Sequence, residues 1–245
     1  MDANSLARSW QLLVCCALYR SNLGHAYKSP FADATCIATI VVPICSTFNA
    51  YSQSSWIMTT YIIGSGVSRP LSGHLTDIYG RRAGLIVCYV LFFTGTLLCG
   101  LSTYTTGPTM FFAGRTIQGF GGGPISSIMS YIESDLVPLR KRPLIEGISS
   151  VAYGATLALG GVYGGSINDS IGWRWAFLIQ APVIAFNAVL VLSVVHIPHE
   201  KKSPAAGSRS KLRSIDYVGC ILVPVTIIFF QYGICLLYTS DAADE

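Results

Sequence analysis

The sequence predicts an all-α, multi-pass membrane helical bundle, and three observations carry that prediction. Of 245 residues, 51% are hydrophobic and 11% are charged, less than half of the roughly 25% charged fraction of an ordinary soluble domain. The apolar residues gather in blocks long enough to cross a hydrocarbon core of about 30 Å, which takes about 20 helical residues. Gly, Ser, Thr and Ala recur inside those blocks, small side chains that let helices approach where lipid supplies no hydrophobic drive between them. The solvent of this chain is a lipid bilayer, and nothing in it points to nucleic acid as a partner.

Seven apolar blocks read as spans, in order Phe31 to Tyr51, Trp56 to Leu71, Ala83 to Leu101, Thr109 to Ile132, Ile148 to Ile167, Trp175 to Val195 and Ile215 to Ile234. The first is interrupted on its N-terminal side by Arg20, His25 and Lys28, which are costly in lipid, so residues 1–30 read as a cytoplasmic N-terminus and uncertain approach to the first span. Residues 31–195 read as a six-helix bundle, 196–214 as a basic linker and 215–234 as a seventh span. The final segment, Cys235 to Glu245, resembles a sequencing-adapter sequence translated in frame, and is set aside from fold reasoning as a scar, with the chain truncated after the seventh span.

Loop charge sets the orientation, because Lys and Arg accumulate on the cytoplasmic side of short loops. Arg81 and Arg82 follow the second block, Arg140, Lys141 and Arg142 the fourth, and Lys201, Lys202, Arg209, Lys211 and Arg213 the sixth; the other loops hold only Arg174. The N-terminus is therefore expected in the cytoplasm. The eight cysteines fall mostly within the apolar blocks and read as reduced packing residues rather than a disulfide framework. His196 and His199 flank Pro198 at a membrane edge with no further ligand, so no metal is expected.

Three segments carry mechanism. In the loop expected after the second span, Gly73, Asp77, Gly80, Arg81 and Arg82 are spaced so that Gly73 allows helix ends to approach and Gly80 allows a tight turn. Asp77 suits the positive end of a following helix, and Arg81 can bridge to a neighbouring one. In the fourth span, Arg115, Gln118 and Gly119 stand in the run Gly114 to Gly123. An arginine near mid-membrane costs about 2.5 to 3.5 kcal/mol on insertion scales, so Arg115 is expected to face the bundle interior and find a partner. Hydrogen bonding to backbone carbonyls alone is the competing reading. No strand precedes these glycines, which excludes a dinucleotide-binding loop. In the fifth span, Gly154, Gly160, Gly161, Gly164 and Gly165 supply small-xxx-small spacings for a close helix crossing or bend, with plain packing as the alternative.

These segments resemble the signature loop (G-x-x-x-D-x-x-G-R-R/K), the R-x-x-Q-G-x-G motif and the antiporter motif (G-P-x-x-G-G) of the major facilitator superfamily. With Ser134 to Arg140 and Gly172 to Trp175, the chain from Phe31 to Ile234 is similar to the N-terminal half of the fungal fourteen-span drug:proton antiporter branch. The resemblance implies a proton-coupling role for Asp33, Arg115 and Gln118, with Asp33 as the carboxylate partner, and a gating latch in which Asp135 partners Arg81. Three departures are Gly161 where the motif has proline, Pro43 one position late, and Arg69 in place of a neutral residue.

The expected function is proton-coupled efflux of drugs or other amphipathic small molecules by alternating access, as part of a longer protein whose C-terminal half is a further partner. The proton is the expected coupling ion and no other cofactor is implied; the plasma membrane is preferred to the vacuolar one. Vacuolar import of basic amino acids is the second transport reading. A seven-helix receptor is opposed by the cytoplasmic N-terminus, and an inert truncated half is the remaining alternative. No serine or cysteine nucleophile stands with an identifiable base, so enzymatic catalysis is not expected.

Overall fold

The computed structural model describes residues 33, 35–49, 51–102, 107–136, 139–194 and 217–241. Seven helices account for most of them: α1 (Thr35–Phe48), α2 (Ser54–Tyr79), α3 (Arg81–Leu101), α4 (Gly107–Leu136), α5 (Arg142–Ile171), α6 (Trp173–Val194) and α7 (Tyr217–Asp241). Short 3-10 turns at Tyr51–Gln53 and Leu139–Lys141 lead into α2 and α5. No strand occurs among the described residues. By length and composition alone, α3 and α5 suffice to cross a membrane. The others are less uniformly apolar, because several of their polar residues turn inward.

Each expected block has a helix, but the helix ends lie elsewhere. The apolar block in α2 stops near Leu71, whereas the helix runs on to Tyr79. Asp77 is therefore in the last turn of α2 and not in a loop. Backbone hydrogen bonding needs no apolar side chains, so a helix can project past the hydrocarbon; here Thr76 Oγ1 donates to Ser72 O at 2.8 Å within the projecting turn. Termination falls to Gly80, whose φ of 92° an L side chain rarely adopts. Its amide donates to Thr76 O at 2.9 Å, and α3 begins at the next residue. Gly172 (φ 95°) separates α5 from α6 in the same way. The last helix continues across Ile234 and Cys235 without a break, so that proposed boundary has no counterpart in the backbone. Residues 1–32 and 195–216, with the N-terminal segment, the basic linker and the His196–His199 pair, lie outside the described residues.

Helix α4 is the centre of the bundle, packed along α2 on one side and α3 on the other; α6 packs on α3, and α7 on α2. Glycine makes the central contacts close. A Cβ on Gly119 would overlap the Tyr61 carbonyl of α2, and one on Gly95 would overlap the Gln118 backbone of α4. Two apolar clusters fill the interior. Toward the end carrying Arg81, Arg82 and Arg142, here the basic end, lie Leu85, Phe92, Ile125, Ile128, Met129 and Ile184. Toward the opposite end lie Ile37, Ile40, Ile44, Phe111, Trp173 and Phe177. Trp173 is fixed there by edge-on contact with Phe111 at 5.8 Å and by donating from Nε1 to Thr47 Oγ1 at 3.1 Å. The tryptophan read from sequence as the start of a motif is thus an anchor for α1 and α6.

Candidate functional site

Between the two apolar clusters lies a layer of buried polar side chains. On α3, Thr96 falls between Phe92 of one cluster and Cys99 of the other; on α4, Arg115 and Gln118 fall between Phe111 and Ile125. Asp33, just ahead of α1, reaches the same level. All four are nearly inaccessible: Asp33 and Arg115 are each 1% exposed, and Gln118 and Thr96 are 0% exposed.

Their hydrogen bonds form a closed set. Arg115 Nη1 donates to Asp33 Oδ2 at 2.6 Å and to Gln118 Oε1 at 2.6 Å. Gln118 Nε2 donates to Asp33 Oδ1 at 3.1 Å and to Thr96 Oγ1 at 3.0 Å. Thr96 Oγ1 in turn donates to Phe92 O at 2.8 Å, which leaves its lone pairs to the amide. The i, i+3 spacing of Arg115 and Gln118 puts both on one face of α4, so the glutamine spans from arginine to carboxylate. The guanidinium carbon also stands 4.6 Å from the centre of the Tyr61 ring on α2, a cation–π contact in a site free of water. One donor, Arg115 Nε, is buried without a hydrogen-bond partner.

A fully buried ion pair is costly to desolvate, and its attraction compensates only with good geometry and added hydrogen bonds. Here Gln118 and Tyr61 supply that support. Protonation of Asp33 would remove the carboxylate charge facing Arg115 and loosen the set at its strongest link. The arrangement is thus chemically suited to trade a proton for a conformational change or for a ligand.

The sequence-predicted residues divide accordingly. Asp33, Arg115 and Gln118 are brought together, and Gly119 lies one residue on, at the crossing with α2. Thr96 and Tyr61 escaped the sequence reading, since a threonine or tyrosine within an apolar block carries no distinguishing pattern. The latch residues lie elsewhere, at the basic end. Arg81 opens α3 and stands 5.9 Å from the Tyr131 ring of α4. The backbones of Gly73 and Asp77 belong to α2 and that of Asp135 to α4, while the side chains of Asp77 and Asp135, and any pairing of Asp135 with Arg81, lie outside the described residues. Arg82 begins α3 beside Arg81.

Of the α5 glycines, Gly164 makes the close approach. A Cβ there would stand 2.5 Å from Thr39 Oγ1 and 2.9 Å from Cys36 O of α1. Gly161 faces Thr39 at 3.8 Å, and Gly160 is buried. Gly154 and Gly165 meet open space. The helix is continuous through all of them.

The sequence profile of the Major Facilitator Superfamily matches residues 30–241. The chain belongs to this superfamily of integral, multi-pass membrane proteins. In Schizosaccharomyces pombe, it is 36% identical over 195 residues to a vacuolar membrane amino acid uptake transporter, covering 80% of this chain and 33% of that protein. In the same organism, it is 36% identical over 205 residues to a multidrug resistance protein, covering 82% of this chain and 38% of that one. The chain therefore spans about a third of the length of these curated relatives. Among solved structures, it superposes on a D-xylose-proton symporter with a TM-score of 0.63 at 18% identity, over 74% of this chain and 48% of the symporter. At that identity the likeness is one of fold.

Proposed function

We propose that this sequence forms part of a proton-coupled transporter that exports small amphipathic compounds by alternating access. The observation that carries the reading is the Asp33–Arg115 pair: carboxylate and guanidinium 2.6 Å apart, each 1% exposed, bridged by Gln118 between two apolar clusters. A purely structural helix pair has little use for such a charge at that depth, whereas a carboxylate that can be neutralised there couples a proton to the packing of α1 against α4. The driving force suffices. One proton moving down a unit of pH releases about 1.4 kcal/mol, and about 2.3 kcal/mol more comes from each 100 mV of potential. A multidrug resistance protein among the relatives supports the choice of substrate class. The role is that of a transporter and not an enzyme.

The basic end is assigned to the cytoplasm by the positive-inside rule, and the plasma membrane is taken as the site of export. The test is dye movement into proteoliposomes bearing the complete transporter that carries this sequence. A lipophilic fluorescent cation should accumulate against its gradient when a pH difference is imposed, stop on adding a protonophore, and fail to accumulate with Asp33→Asn. Accumulation that ignores the pH difference would overturn the coupling.

A second reading is favoured by the vacuolar amino acid uptake transporter among the relatives. In that case, isolated vacuoles should take up radiolabelled lysine or arginine in proportion to the abundance of the protein.

A further inference from the structure

A second polar feature stands apart from the buried pair. On α4 between Ile125 and Ile132 the two faces differ sharply. Ile125, Ile128, Met129 and Ile132 pack into the apolar cluster, while Ser126, Ser127, Ser130 and Tyr131 turn the other way. They line a cavity of about 510 Å³ toward the basic end, closed on its other sides by Arg69 of α2 and by Glu146, Ser149 and Tyr153 of α5. The volume lies within the range of about 300 to 1,000 Å³ typical of small-molecule sites.

The charges in this cavity are not matched internally. Arg69 lies ten residues before the end of α2 at Tyr79, about 15 Å along the axis. An arginine at that depth is expected to face a polar space and to be paired. It does face one, yet neither Arg69 nor Glu146 has an ion pair or side-chain hydrogen bond among the described residues. The hydroxyls of Ser127, Ser130 and Ser149 likewise make no hydrogen bond there. A cation and a carboxylate thus line one cavity from different helices without meeting, with hydroxyl groups between them.

We propose that this cavity is a binding site for a zwitterion of about dipeptide size, its anionic group on Arg69, its ammonium on Glu146, and its polar middle on the α4 and α5 serines. A singly charged ligand would leave one of the two charges unanswered, so the site selects for both signs together. Two sources have this chemistry: a soluble zwitterion and the headgroup of a zwitterionic lipid.

The experiment is equilibrium binding to the full 245-residue chain in nanodiscs, with radiolabelled glycyl-leucine as probe. In anionic phosphatidylglycerol discs, the wild-type chain should bind glycyl-leucine at least about tenfold more tightly than N-acetyl-glycyl-leucine or glycyl-leucinamide. Arg69→Gln and Glu146→Gln should each remove that preference, and the second variant decides the matter if the first does not insert. In a parallel arm, discs containing phosphatidylethanolamine should either leave dipeptide binding intact, assigning the site to a soluble zwitterion, or compete it away, assigning it to a headgroup. Phosphatidylethanolamine retained through purification by the wild-type chain but not by Arg69→Gln, with no dipeptide bound, also assigns the headgroup. Equal affinity for all three probes, affinity unchanged in both variants, or neither dipeptide nor lipid retained would overturn the proposal. Equilibrium binding needs no proton gradient, so its failure leaves the coupling role of Asp33 and Arg115 standing, and the reverse also holds.

Discussion

At the scale of single residues the energetics centre on Asp33 and Arg115. Removing one member leaves the other charge buried and unanswered, which typically costs about 3 to 5 kcal/mol. Asp33→Asn and Arg115→Leu are each expected to lower the unfolding temperature in detergent clearly. The double substitution should recover part of that loss, giving a coupling of at least about 1 kcal/mol in a double-mutant cycle. Additive losses would mean the two side chains act independently. Tyr61 offers a finer probe. Tyr61→Phe keeps the ring under the guanidinium and should cost little, whereas Tyr61→Leu should cost about 1 to 2 kcal/mol of stability through the lost cation–π contact. The arginine and glutamine of this site were legible from spacing alone. Thr96 and Tyr61 were not, because their role depends on which face of α3 or α2 meets α4.

At the scale of elements, glycine decides which helices touch. The sequence offers many glycines of equal appearance and does not rank them; the structure does. Gly119→Val should disrupt the bundle, since even its Cβ would overlap the Tyr61 carbonyl, an atom held by the backbone of α2. Gly154→Ala should be neutral or stabilising by about 0.5 to 1 kcal/mol, because the added methyl meets open space within a regular helix. The yield of monodisperse protein in size-exclusion chromatography separates the two outcomes, and equal yields would refute the contact assignment. Gly80→Ala tests the α2–α3 junction. At φ 92° the alanine is strained by about 1 to 3 kcal/mol, so thermal stability should fall although no neighbour is struck. The same junction explains why the expected loop at Gly73 to Gly80 is mostly helix. Hydropathy marks where lipid ends, whereas dihedral preference marks where a helix ends, and here the two are separated by two turns of α2.

At the scale of the whole molecule, the two apolar clusters and the polar layer between them define an axis, with the arginine-bearing loops at one end. If that end is cytoplasmic, a cysteine placed at the exposed Leu139 should be modified by a membrane-impermeant reagent only after the cells are opened. One placed at the exposed Ile171 should be modified on intact cells; the reverse pattern would invert the topology. The exposed apolar side chains of α5 and α7, among them Val151, Leu159, Phe229 and Phe230, face lipid or the remainder of a longer protein. Because the chain spans about a third of its relatives, transport itself is expected only of a complete molecule.

The sequence by itself determined the solvent, the helical class, the approximate number and order of spans, and the identity of a buried charge that needs a partner. These follow from composition, block length and the cost of an ion in lipid, all of them local quantities. Tertiary structure decided which carboxylate answers Arg115, which glycines mark crossings, and that Arg69 and Glu146 share one cavity. Those depend on helix rotation and on contacts between residues far apart in the chain, such as Asp33 and Arg115 at 82 positions' separation, and no local pattern encodes them.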